Sequence, residues 1–165
     1  MIYSIISISV FTAYLVFILV KFPNLKSISD SYYHLKNKIW FTLALWGFAI
    51  PAMIAGDTLL MFFAGSGIAF VGAAAEFKQV MTKTVHYVAA VCGIVFGMLS
   101  LGFDFGLWWV VVLAAIGSLG IRLTFKNWIF WVEVFCFYVI LISLLFKLSD
   151  DGTYIFTTVG AGAFG

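Results

Sequence analysis

The stretch Asn127-Trp-Ile-Phe-Trp-Val-Glu-Val-Phe-Cys-Phe-Tyr-Val-Ile-Leu-Ile-Ser-Leu-Leu-Phe146 runs for twenty residues with one charged side chain, Glu133. About 20 predominantly apolar residues in a helix cross the ~30 Å hydrocarbon layer of a bilayer. The run lacks the alternation of a half-buried strand and the polar face of a surface helix. Working outward, five more stretches read the same way, over residues 2–20, 39–55, 58–75, 85–101 and 105–121. A backbone in hydrocarbon must satisfy its own hydrogen bonds, and continuous runs of this length do so as helices, not as the shorter alternating strands of a barrel. The sequence therefore predicts an all-α, polytopic integral membrane protein. Its bundle of six transmembrane helices occupies residues 1–151, and residues 152–165 form an apolar Gly/Thr-rich tail too broken for a further helix.

Composition points the same way. Of 165 residues 64% are hydrophobic and 10% charged, with a mean hydropathy of +1.15, whereas soluble domains are ~45–50% apolar and ~25% charged. Nine bases and seven acids cannot cover a soluble domain. A formal charge of +2 without a basic aromatic patch excludes nucleic acid as a partner. No Gly-rich phosphate loop or nucleophile elbow is present.

The placement of the charges carries more information than their sum. Lys21, Lys26, Lys36, Lys38, Lys78, Lys83, Arg122 and Lys126 fall in three connections that alternate with two tight acidic reversals, Gly56-Asp57 and Gly102-Phe-Asp104; Lys147 alone lies on the reversal side. Lys and Arg accumulate in cytoplasmic loops, so the three basic connections are expected inside and both termini outside. Residue 1 is followed by no basic n-region and no small-residue cleavage site, so the first run is expected to be a span, not a signal peptide.

Spans associate in lipid through close packing at small residues. Ala89, Gly93 and Gly97 recur at steps of four, and the third and fifth spans are also rich in Gly, Ala and Ser. The third, fourth and fifth spans are therefore expected at the packed centre, with the bulkier first and sixth as lipid-facing walls. Pro51 is expected to kink the second span. Cys92 and Cys136 are not expected to pair.

Two polar segments share the basic side. In Ser27-Ile-Ser-Asp-Ser-Tyr-Tyr-His34, Ser27 can cap a helix with Asp30 completing the arrangement. Asp30 and His34, four apart, can also reach one ion or proton. The second segment runs from Glu76 to His86. Ser29, Asp30, His34, Glu76 and His86 thus form the candidate polar cluster. No catalytic set is defined by their spacing, and no metal or other cofactor is expected; zinc on His34 and His86 is the alternative, since imidazole is a common ligand. Glu133 lies within a span, about 10 Å from its inner end at 1.5 Å per residue. An acid at that depth must face the bundle interior, a partner or a water-filled path. A hydroxyl such as Tyr87, the His86 ring or an interfacial base is its expected partner.

Ile28-Ser29-Asp30 after Pro23, with Val85-His86 closing the loop before Ala89 and Ala90, resembles the six-span DRAM-type autophagy modulators and the related GPI-anchor lipid-remodelling proteins. The resemblance covers roughly residues 2–101 and implies a lipid-linked role at a membrane. In that family the Ile-Ser-Asp loop faces the lumen or the exterior, whereas the charge count here places it in the cytoplasm. A looser likeness joins the chain to the alkaline ceramidase and progestin/adipoQ receptor superfamily, whose zinc hydrolase site uses a late pair of His; no His follows His86.

Three functions are compatible with these residues. The leading one is binding of membrane lipids or a partner membrane protein, another copy included. The second is a small proton, cation or solute transporter or channel using Glu133. The third is a membrane-embedded lipid-modifying enzyme centred on His34, His86, Asp30 and Glu76.

Overall fold

The computed structural model describes residues 1–74 and 80–161, with side chains over 1–74 and 83–147. It is all-helical, with no strand among the described residues. The elements are α1 (Ile2–Lys21), a 3-10 turn (Ile28–Asp30) running into α2 (Ser31–His34), α3 (Ile39–Gly56), α4 (Leu59–Ala73), α5 (Val80–Phe103), α6 (Trp108–Thr124) and α7 (Trp128–Ala161). Each of the six expected runs is a helix. Four segments are long and apolar enough to cross a membrane, in α1, α3, α5 and α7, and α4 and α6 are shorter apolar helices. Beyond Gly152, where a broken tail is expected, α7 continues to Ala161; residues 162–165 lie outside the described residues. The expected loop residues Glu76 and Lys78 also lie outside them.

The reversals sit where Gly and Asp predict them. Asp57 closes α3 in the left-handed region at φ 45°, one that Asp tolerates better than most residues. Thr58 then opens α4 by accepting from the Met61 N–H at 3.2 Å. Its hydroxyl meets Ser100 Oγ at 3.2 Å, and Ser100 donates to Asp104 at 2.7 Å, so one hydroxyl chain ties both reversals together.

Small residues govern the α4–α5 seam. A Cβ on Gly67 would stand 2.7 Å from the Ala89 carbonyl oxygen and 2.8 Å from Gly93 N. The Ala89-Gly93-Gly97 ridge faces α4 for its first two members, while Gly97 lies against Ile140 of α7 and Ala64 of α4.

The central place expected for the third and fourth spans holds, since α4 buries seven of its residues and packs along α5, but the places of the first, fifth and sixth spans are reversed. Bulky residues of α1, α3 and α7 join Ile68 and Val71 of α4 in the main apolar core, with Phe11, Phe48 and Phe137 in edge contact at ring-centroid separations of 5.0 to 5.5 Å. Such pairs contribute ~0.5–1.5 kcal/mol each beyond burial. α6 is peripheral; Ala114 is its one buried residue, and a Cβ on Gly120 would meet nothing within 4 Å. Inside and outside are equally apolar for a membrane helix, so bulk alone does not tell wall from core. The polar stripe Ser4, Ser7, Tyr14 on α1 does, because all three are buried. Ser7 donates to the Phe48 carbonyl at 2.6 Å, and Tyr14 and Ser31 hydroxyls meet at 2.7 Å, joining α1 to α3 and α2.

Candidate functional site

The connection from Lys21 to Lys38 folds back over the end of the bundle because of its local chemistry. Pro23 and Asn24 follow α1 in a turn, and Ser27 adopts extended backbone and accepts from the Asp30 N–H at 3.1 Å through its hydroxyl. Asp30 Oδ2 accepts from the Lys26 N–H at 3.4 Å and stands 3.8 Å from His34 Nε2. Capping and the four-residue Asp–His pairing thus share one carboxylate. Ile28 and Leu35 are buried and anchor the segment in the main apolar core.

Glu133 reaches this segment from α7. Its Oε2 accepts from the Ile28 N–H at 2.7 Å across 105 residues of sequence. Ile28 opens the short helical run, where backbone N–H groups have no intrahelical partner. Glu133 therefore acts as a cap supplied by another helix, a class of partner that side-chain reasoning on the sequence does not consider.

His86 completes the assembly from α5 and is buried. Its Nδ1 lies 3.0 Å from the Ala74 carbonyl oxygen, and its Nε2 lies 3.0 Å from Ser29 Oγ. A carbonyl can only accept, so Nδ1 carries a proton and donates. In the neutral ring Nε2 then accepts from the Ser29 hydroxyl. The ring joins the end of α4, the start of α5 and the turn before α2.

These groups line one cavity of about 590 Å³, whose walls are Asn24, Lys26, Ser27, Ser29, Asp30, His34, His86, Tyr87, Ala90, Ile129 and Glu133. Ser29 and Asp30 of the 3-10 turn, His34 of α2, His86 of α5 and Glu133 of α7 are thus brought together. Glu76 falls outside the described residues. Asn24, Lys26 and Ile129 were not singled out by sequence; the basic-loop count contains Lys26, but nothing local marks Ile129 as a wall. A larger, apolar crevice of about 760 Å³ lies between α6 and α7, with Ser143 and Lys147 its main polar groups, and offers few groups for chemistry.

Among the described residues no three His, Cys, Asp or Glu side chains gather closely enough to hold a metal ion. A metal at His86 would have to displace Ser29 or Ala74. Cys92 and Cys136 are free thiols.

The chain matches no family model, no curated protein and no solved structure.

Proposed function

We propose that this chain is an integral membrane protein of six crossings that binds the polar headgroup of a membrane lipid in the cleft of Ser29, Asp30, His34, His86 and Glu133. The observation that carries the proposal is the mixed character of the cleft wall. Lys26, Asp30 and Glu133 line it together with Ala90, Tyr87 and Ile129. Tyr87 and Ile129 are also exposed on the outer surface of the bundle. A molecule with a polar head and an apolar tail satisfies both parts of such a wall. A purely apolar ligand would strip water from the Lys26 and Asp30 side chains and offer nothing in return, and a purely polar one would leave the apolar lip uncovered.

Six apolar helices support six crossings. At 1.5 Å per residue α4 and α6 reach about 22 and 26 Å, and flanking residues and local bilayer thinning supply the remainder of a ~30 Å layer. Lys21 ends α1, Lys38 precedes α3 and Arg122 lies in the last turn of α6, whereas Asp57 follows α3 and Asp104 follows α5. By the positive-inside rule the cleft lies on the cytoplasmic side and both termini outside. A proton path through Glu133 has less support, because its carboxyl oxygen already caps Ile28.

Lipid mass spectrometry on protein purified in mild detergent tests the proposal. Wild type is expected to retain one headgroup class well above its share of the extracted membrane, and Lys26→Glu to lose that enrichment by at least ~10-fold. Equal lipid profiles in the two, matching the bulk extract, would reject it.

A further inference from the structure

Apart from Ser4, whose hydroxyl is buried with no partner among the described residues, the buried serines divide by where their hydroxyl protons go. Ser7 donates to the Phe48 carbonyl, Ser31 to the Ile28 carbonyl and Ser100 to the Asp104 carboxylate. Each is a structural tie to an oxygen. Ser29 instead meets an imidazole nitrogen, His86 Nε2 at 3.0 Å.

Three features of this pair coincide. The distance is that of a nucleophile within reach of its base. The Ala74 carbonyl on Nδ1 fixes the tautomer that leaves the Nε2 lone pair on the serine, and it can support the ring when that ring takes up a second proton. Finally, both side chains line the cleft although the two residues are only 8% and 3% exposed, so a ligand in the cleft reaches them while bulk water is largely held off. Glu133, by holding the Ile28 N–H, fixes the turn that presents Ser29.

We infer that Ser29 and His86 are a nucleophile and general base that cleave a carboxylic ester of the lipid held in the cleft, a step that rests on the headgroup site proposed above. Ser29 Oγ attacks the ester carbonyl carbon while its proton passes to His86 Nε2. The bond from that carbon to the lipid alcohol oxygen breaks, and the alcohol leaves with the proton from Nε2. Water then attacks the acyl–Ser29 ester and gives a proton to Nε2; the fatty acid departs, and the proton returns to Ser29 Oγ. No oxidant, metal or second substrate enters the balance.

The test is covalent labelling of the detergent-purified, monodisperse full chain with an alkyl fluorophosphonate, read by intact mass and peptide mapping, with retained lipid measured on the same samples. The wild type is expected to gain one adduct at Ser29. Ser29→Ala is expected to gain none there, His86→Gln to react at least ~10²-fold more slowly, and Ser7→Ala to react like wild type. A wild type unlabelled at Ser29, or a His86→Gln variant reacting at the wild-type rate, overturns the assignment. Since the wild-type mass decides by itself, a variant that fails to fold cannot rescue the proposal. Retained lipid without an adduct removes the esterase and leaves the headgroup site standing. An adduct on the wild type with no lipid enriched on Ser29→Ala, which holds the ester without cleaving it, removes the lipid as substrate, and with it the proposal.

Discussion

Replacing Glu133 separates a capping role from every role that depends on its charge. Its Oε2 lies 2.7 Å from the N–H of Ile28, a residue only 3% exposed. Glu133→Ala leaves that donor buried without an acceptor, a loss of about 2–3 kcal/mol on the scale of hydrogen bonds to charged groups and of unsatisfied buried amides. Glu133→Gln keeps an oxygen acceptor on a side chain of the same length and loses only the charge-assisted share, about 1 kcal/mol. At 1.4 kcal/mol per decade the folded-to-unfolded ratio falls on the order of 30- to 140-fold for Ala and about 5-fold for Gln. Reversible unfolding in mixed micelles, followed by tryptophan fluorescence, measures both. Equal destabilisation by Ala and Gln, or an Ala variant within about 0.5 kcal/mol of wild type, would refute the cap.

Glycine substitutions test the packing. Gly67→Ala puts a Cβ 2.7 Å from backbone on α5 and is expected to cost about 1–3 kcal/mol by forcing the seam apart. Gly120→Ala meets nothing within 4 Å and is expected to stabilise α6 by up to about 1 kcal/mol; the same unfolding assay reads the opposite signs. Tyr14→Phe removes the 2.7 Å contact with Ser31 and should cost about 1 kcal/mol in that assay. For orientation, Lys36→Cys and Asp57→Cys in a background lacking Cys92 and Cys136 are expected to react with an impermeant maleimide from opposite sides of sealed vesicles, Lys36→Cys from the cytoplasmic side. Labelling of both from one side would reject the six-crossing topology.

The helices were legible because their signal is local: length, continuous apolarity and Gly-Asp punctuation fix α1, α3 and the reversal at Asp57 without tertiary information. The gathering of Ser29, Asp30, His34 and His86 was legible for a similar reason, since loops that share a charge sign share an end of the bundle. The local cap of Ser27 on the Asp30 N–H could be read, but not which side chain meets a backbone group far away in sequence. The Glu133–Ile28 bond spans 105 residues and leaves no periodic trace. The place of α6 was misassigned because glycine permits close approach without specifying a neighbour. Gly67 uses that freedom against α5, whereas Gly120 of α6 faces open space. On α1 the small hydroxyls at Ser4 and Ser7, not the large residues, marked the buried face.

The most direct test of the headgroup cleft is photo-crosslinking in native-like membranes with lipids carrying a diazirine in the headgroup, mapped by peptide mass spectrometry. The cleft predicts crosslinks concentrated on residues 24–34, 86–90 and 129–133. Crosslinks distributed along the exposed faces of α3 and α6 as densely as on those three segments would contradict it.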